Sequence, residues 1–330
     1  MNPPGPLMLA PVFLDKVWAS PGLAAPWDGL WPAPPHTGEI WLASDRHHIT
    51  PVALGPLAGL GLDEILARWP GWFLGHQRGS SLPILLKILN VGQWLSVQVH
   101  PGDEDARRLE NEPWGKNEAW HVLAAKPGAQ IIMGLKEGVD QAQVARATAA
   151  GGLPELLARV AAAAGDTFHL PAGTVHATGP GLVIFELQQA SDVTYRFYDW
   201  DRPGSDGKPR PLHQDQALAV MSLGGPGAPQ PPRLLAEGPN RLELLVQDPH
   251  FALLKVRAQT PYRPWWGGRR LRVLTILAGR GRWRGGQVPD LSLDLAPDLL
   301  PGQTWLLPAG QEGLEMLPGP AGLTLLECLA

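Results

Sequence analysis

Two histidines, a glutamate and a glutamine recur in this chain within short extended segments, and such a mixture of donors can hold a divalent metal with one coordination position left open. In Ser96-Val97-Gln98-Val99-His100-Pro101 the alternation of a strand puts Gln98 and His100 on one face and the two valines on the other. In Lys116-Asn117-Glu118-Ala119-Trp120 the same rule pairs Lys116 with Glu118 and sends His121 to the opposite side. In Leu170-Pro-Ala-Gly-Thr-Val-His-Ala177 a Pro-Gly turn feeds a strand that presents Thr174 and His176 together. Two imidazoles, one carboxylate and one amide oxygen suit Zn²⁺, one ion per chain, and the same set accepts Mn²⁺, Fe²⁺ or Co²⁺. A lone histidine on a strand is more often a hydrogen-bonded structural residue. Three such motifs in one region tip the balance to a metal site.

These residues need rigid strands to converge. The chain of 330 residues has 39 glycines and 36 prolines dispersed among Val, Ile, Leu and Trp runs, the pattern of many short strands separated by turns. Gln93 to His100, Glu118 to Leu123, Gln130 to Met133, Asp166 to Leu170 and Leu182 to Gln188 read as strands, so the chain is mainly β, a β-sandwich or jelly roll. Helical spacing at Asp63 to Trp69 and across 139–164 predicts helices inserted into that framework. The run Leu223-Gly-Gly-Pro-Gly-Ala-Pro-Gln-Pro-Pro232 is too rich in breakers for an element. It predicts a linker over 223–234 that divides a catalytic domain, 1–222, from a smaller β-domain, 235–330. In the latter, Leu300-Pro-Gly-Gln-Thr-Trp-Leu-Leu-Pro-Ala-Gly310 parallels Ala164-Gly-Asp-Thr-Phe-His-Leu-Pro-Ala-Gly173 but lacks the histidine and any candidate metal cluster. That domain reads as structural.

The formal charge of −4 arises from intermixed acids and bases, with no basic stripe for a nucleic acid and no polybasic segment for a membrane surface. The single cysteine, Cys328, excludes an intramolecular disulfide and a cysteine-based zinc site. No stretch reaches the roughly 18 apolar residues of a membrane span. The expectation is a cytoplasmic protein, monomer or homodimer, whose partner is a small molecule.

The segment Ser191-Asp-Val-Thr-Tyr-Arg-Phe-Tyr-Asp-Trp-Asp-Arg202 holds more polar and aromatic residues than a plain strand needs. Together with Gln98-Val-His100-Pro, Gly115-Lys-Asn-Glu118 and Leu170-Pro-Ala-Gly-Thr-Val-His-Ala177, in that order and spacing, it resembles the successive signatures of type I mannose-6-phosphate isomerases of the cupin superfamily. Phe13, Trp18, Gly38-Glu-Ile-Trp41, Ser44 and Pro83-Ile-Leu-Leu-Lys87 are similar to the family's opening motifs. The likeness covers about Pro11 to Arg202 and is looser beyond. Gly102 stands where the family usually has an acid, and Ala19 where glycine often follows the Trp; neither is a candidate ligand.

The resemblance implies a cupin-type double-stranded β-helix that interconverts mannose-6-phosphate and fructose-6-phosphate. It implies Gln98, His100, Glu118 and His176 as metal ligands, the four that strand alternation brings together on its own. It further implies that Lys116 and Arg196 face the substrate and that Lys87 and Asp192 line the pocket. Moving a proton between C1 and C2 of a sugar passes through an enediolate, whose oxyanion needs a Lewis acid and a fixed cation such as the Arg196 guanidinium. The base is left open among Lys116, Asp192 and a metal-bound water. Two rival functions share the architecture: a cupin dioxygenase, which prefers a His-x-His pair where this chain has Gln98-Val-His100, and a sugar-binding or sensing protein, which would not need Lys116 and Arg196.

Overall fold

Alternating apolar and polar residues between glycine and proline turns build three antiparallel sheets. The computed structural model describes residues 3–21, 33–75, 79–204, 207–264, 270–285 and 298–330. Among these, a six-stranded sheet runs in the spatial order Val12–Asp15, Thr37–Ala43, Ile84–Val91, Leu182–Gln189, Glu118–Ala125, Thr167–Leu170. A five-stranded sheet runs Tyr195–Tyr198, Val97–Val99, His176–Thr178, Gln130–Leu135, Leu157–Ala161. A seven-stranded sheet runs Leu7–Leu9, Thr304–Leu307, Arg272–Arg284, Glu315–Leu329, Ala252–Ala258, Asn240–Gln247, Arg233–Ala236.

Strand alternation decides how the sheets stack. On Ile84–Val91, Leu86 and Ile88 point one way, into a core shared with Leu253, Val273 and Cys328 of the seven-stranded sheet. Leu89 and Val91 point the other way and pack with Ile131 and Met133 of the five-stranded sheet. The outer face of that sheet, with Val97, Val99, Ala177 and Phe197, packs with Val144 and Ala217 of the helices Gln141–Ala150 and Gln214–Val220. The order of layers is therefore helices, five-stranded sheet, six-stranded sheet, seven-stranded sheet. The first two sheets enclose the jelly-roll interior where the candidate ligands lie.

The stretch 139–164 is helical only in its first part. Asp140 caps Gln141–Ala150 by accepting from the Gln143 backbone N at 2.7 Å, while Gln143 Oε1 accepts from the Asp140 N at 2.8 Å, a reciprocal capping box. Gly151 then turns left-handed at φ 74° and ends the helix. After a 3₁₀ turn at Leu153–Leu156, Leu157–Ala161 is a strand, because its backbone completes the edge of the five-stranded sheet against Gln130–Leu135. Helical spacing continued where sheet pairing decided the outcome. The helix expected over Asp63 to Trp69 is Leu62–Arg68, and the helices Pro70–Leu74, Asp103–Glu110 and Gln214–Val220 were not expected from the sequence.

Residues 223–232 form no regular element and run along the first half, with Gly227 N donating to Met133 O at 3.0 Å and Gln230 N to Thr167 O at 2.7 Å. The division there is crossed by the first strand, since Leu7–Leu9 pairs with Thr304–Leu307 in the sheet of the second half. No helix among the described residues is long and apolar enough to cross a membrane.

Phe185 lies at the centre of this stack, fully buried where the six-stranded sheet meets the seven-stranded one. Phe185→Ala should lower unfolding free energy by about 3–5 kcal/mol, the usual loss for truncating a buried aromatic. Denaturant unfolding reads this directly, and a loss below about 1 kcal/mol would contradict the layer order.

Candidate metal centre

Register across the two inner sheets builds the centre. On the five-stranded sheet Arg196 lies opposite Gln98, Gln98 opposite His176, and His176 opposite Met133, so all four share the inner face. On the six-stranded sheet Trp41, Lys87, Glu186 and Trp120 form a facing row. Glu118 projects from the same strand and face as Trp120, two residues before it. His100 follows the strand Val97–Val99 and turns inward beside them.

His100, Glu118 and His176 each offer a ligand atom, and these atoms all lie within 4.8 Å of one another. His100 Nδ1 is hydrogen-bonded to the Val193 carbonyl at 2.8 Å and His176 Nδ1 to the Thr174 carbonyl at 2.8 Å. Each carbonyl accepts only, so each ring carries its proton on Nδ1 and turns a lone pair on Nε2 inward. His100 Nε2 is 3.3 Å from Glu118 Oε1, and His176 Nε2 is 3.5 Å from Glu118 Oε2. The Gln98 amide faces His176 Nε2 at 3.3 Å and is held from behind by Ser96 Oγ at 3.3 Å. A half-turn of that amide presents its oxygen instead and keeps the serine bond, since a hydroxyl both donates and accepts.

Burial fixes the charge states. It drives the His176 imidazole down to about 3 and lowers His100 as well, with the Lys116 ammonium adding to the effect, so both rings are neutral at ordinary pH. Burial would raise the Glu118 carboxyl, but the Lys116 ammonium, at 2.8 Å from Oε1, outweighs it and holds the carboxyl well below its usual range. Oε1 meets that ammonium, while Oε2 has no hydrogen bond among the described residues. A fully buried carboxylate with an unsatisfied oxygen, flanked by two inward lone pairs, is what a divalent cation would complete.

Backbone contacts lock these parts together. The His100 carbonyl accepts from Gly173 N at 2.9 Å and the Pro101 carbonyl from Lys116 N at 3.0 Å, which ties all three motifs to one dipeptide. Asp103 Oδ1 accepts from Gly115 N at 2.7 Å and from Gln189 Nε2 at 2.9 Å. Gly115 has no substitute here, because a Cβ would lie 2.5 Å from the Gly102 carbonyl carbon.

The structure thus gathers Gln98, His100, Lys116, Glu118 and His176 at one point. Lys87 stands one row away, buried, with its ammonium 2.9 Å from Glu186 Oε2 and over the Trp41 ring. Burial would lower Lys87, and the carboxylates of Glu186 and Glu39 more than reverse this. Arg196 adjoins Gln98; its Nη1 donates to the Pro211 carbonyl at 2.8 Å, and its buried Nε has no hydrogen-bond partner among the described residues. Asp199 is paired with Arg202 and Arg210 at 2.7 and 2.6 Å, not with Arg196. Asp192 is exposed.

Sequence reasoning missed Glu186, which also accepts from Trp120 Nε1 at 2.8 Å; a charged residue inside an apolar strand, Leu182 to Gln188, was the available signal. His169 and His213 lie outside the cluster. The structure gives them Asp248 at 2.8 Å and the Arg196 backbone N at 3.3 Å. A groove of about 550 Å³ lined by Lys136, Glu137, Glu155 and Arg159 contributes no residue to the cluster.

Residues 16–119 match the family described as phosphomannose isomerase type I, catalytic domain. The chain is 36% identical over 286 residues to the mannose-6-phosphate isomerase of Streptococcus mutans, covering 84% of this chain and 86% of that protein. Its fold is similar to the crystal structure of the mannose 6-phosphate isomerase from Bacillus subtilis, with a TM-score of 0.86, 28% identity, and 98% and 99% of the two chains covered. A structure of a zinc-bound mannose 6-phosphate isomerase has the same fold at a TM-score of 0.73 and 16% identity, over 98% of this chain and 99% of that one.

The geometry generates a test of its own. Purified protein given Zn²⁺ and then dialysed should retain about one ion per chain by elemental analysis, and His176→Ala or Glu118→Gln should retain far less. Full metal content in His100→Ala/His176→Ala would overturn the assignment.

Proposed function

The chain belongs to the type I phosphomannose isomerase family, and we propose that it interconverts mannose-6-phosphate and fructose-6-phosphate through an enediolate, with a metal held by Gln98, His100, Glu118 and His176. The observation that carries this reading is the buried cluster of His100, Glu118 and His176 with the Lys116 ammonium 2.8 Å from the carboxylate. Zinc is the metal of choice: the donors are mixed nitrogen and oxygen, and the zinc-bound relative shares the fold. When bound, the metal supplies Lewis-acid polarisation of the sugar's carbonyl and hydroxyl oxygens.

The protein's own groups do the rest. The reaction removes the proton on C2 of the aldose and delivers one to C1, so negative charge develops on the oxygens of both carbons. Arg196, on the inner face beside Gln98 and with a donor not otherwise engaged, is suited to hold that charge. Its planar guanidinium remains protonated even though burial lowers its pKa, and no carboxylate among the described residues forms an ion pair with it. Lys116 adds a second cation within reach of the same oxygens. Lys87 acts from the next row, where its pairing with Glu186 sets the local field, and Asp192 lines the rim.

Two histidines and one carboxylate are also the ligand set of iron oxygenases, so the metal cluster alone does not select the reaction. The cations around it and the family membership do.

A coupled assay should detect fructose-6-phosphate formed from mannose-6-phosphate by the purified chain; chelation should abolish turnover and Zn²⁺ should restore it. Absence of turnover with metal loaded would sink the proposal.

Arg196→Ala should lower kcat by roughly 10²-fold with a smaller change in KM, the signature of a group that acts in the transition state. Arg196→Lys should recover only part of the loss, because an ammonium lacks the planar donor fork. Near-full turnover in a folded, metal-loaded Arg196→Ala variant would transfer the role to Lys116.

A further inference from the structure

Asn117 stands between Lys116 and Glu118, and strand alternation sends its side chain away from the cluster. There it ties three segments together. Its Nδ2 donates to Asp248 Oδ2 at 2.9 Å, its Oδ1 accepts from the Ala172 backbone N at 2.9 Å, and its own backbone N donates to Gln189 Oε1 at 2.9 Å. Ala172 lies in the turn that leads to His176, and Gln189 also holds Asp103 beside His100.

Asp248 comes from the second half of the chain, in the turn between Asn240–Gln247 and Ala252–Ala258. Its side chain is 1% exposed. It receives three hydrogen bonds: from Asn117, from His169 Nε2 at 2.8 Å, and from the His250 backbone N at 2.9 Å. Burial would raise this carboxyl, but the three bonds prevail and hold it ionised. An ionised carboxylate only accepts, so it admits the Asn117 amide in one orientation, nitrogen toward Asp248 and oxygen toward Ala172. The reversed amide would oppose oxygen to carboxylate and nitrogen to N–H, losing two buried hydrogen bonds at once.

We propose that Asp248 is a positioning residue of the metal centre, acting through Asn117 to fix the segment Lys116–Glu118, where the strand Glu118–Ala125 begins, against the turn that leads to His176. The role in turnover rests on the isomerase reading above; the role in metal binding does not. The second half of the chain, expected to be support alone, thereby reaches the chemistry through one carboxylate.

The test is a double-mutant cycle of Asp248→Ala and Asn117→Ala, read by Zn²⁺ affinity in chelator competition and by kcat at saturating metal. Asp248→Ala should weaken Zn²⁺ binding by roughly 10–100-fold, the range for residues that orient metal ligands, and should lower kcat by a similar factor. The double variant should be no worse than Asn117→Ala alone, because both changes remove one linkage. A purely supporting role would lower the melting temperature while leaving Zn²⁺ affinity within twofold of the parent, and that result would overturn the proposal. So would losses that add in the double variant. If Asp248→Ala does not fold, Asp248→Asn, which keeps one acceptor oxygen, enters the same cycle with an intermediate loss expected. A parent chain that binds Zn²⁺ yet leaves the sugar phosphate unchanged sinks the isomerase reading alone, and the affinity arm still decides the case of Asp248.

Discussion

Charge kept out of water is the constraint on which the rest of the structure depends. Lys116 and Glu118, and one row away Lys87 and Glu186, are nearly or wholly buried between two sheets, where an unpaired ion would be prohibitively unstable. They persist because each ammonium meets a carboxylate at 2.8 or 2.9 Å. Apolar residues of equal volume would stabilise the interior as well or better, so this arrangement answers to chemistry more than to stability. The requirement propagates outward: every element that carries one of these groups has to be fixed to its neighbours, since a small shift would separate a buried pair.

That fixing is done mainly by backbone. The carbonyls of His100 and Pro101 bind the turn before His176 and the residue before Asn117, so that three motifs far apart in the chain are clamped to one dipeptide. The close approach is possible because position 115 lacks a side chain. Side chains add a second tier: Asp103, Gln189 and Asn117 satisfy one another and the surrounding amides, leaving the inward face to the ligands. On the other wall, His213 and the Pro211 carbonyl hold Arg196 by its backbone and by its guanidinium.

What was legible in the sequence follows from the range of the forces involved. The shared inward face of Gln98, His100, Glu118 and His176 could be read because strand alternation is local, and each face is set by its immediate neighbours. Although the linker expected over 223–234 gives way to a strand at Arg233–Ala236, the strands Val97–Val99, Glu118–Ala125, Gln130–Leu135, Thr167–Leu170 and Leu182–Gln189 were likewise announced by turns and apolar runs. The strand at Leu157–Ala161 was not, because its partner Gln130–Leu135 is chosen by tertiary pairing while its composition remains helical. Nor was the pairing of Lys87 with Glu186, which depends on a cross-strand register between segments far apart in sequence. Asp248 was invisible for the same reason: nothing near it in the chain marks it as a neighbour of Asn117.

The first strand, Leu7–Leu9, occupies the edge of the sheet otherwise built from the second half, against Thr304–Leu307. Its three residues are buried, so the strand is part of that sheet's core and not an ornament on it. On a ribosome these residues emerge long before their partner, because most of the chain lies between the two. The seven-stranded sheet cannot close until Thr304–Leu307 has been made, and Leu7, Met8 and Leu9 spend that interval as an apolar segment whose backbone groups bond only to water. A long chain loop must also be drawn shut before the contact forms, which places this pairing among the slow, non-local steps of folding. The same stitch that joins the two halves in the finished protein is thus, during biogenesis, an open edge available to any neighbouring strand.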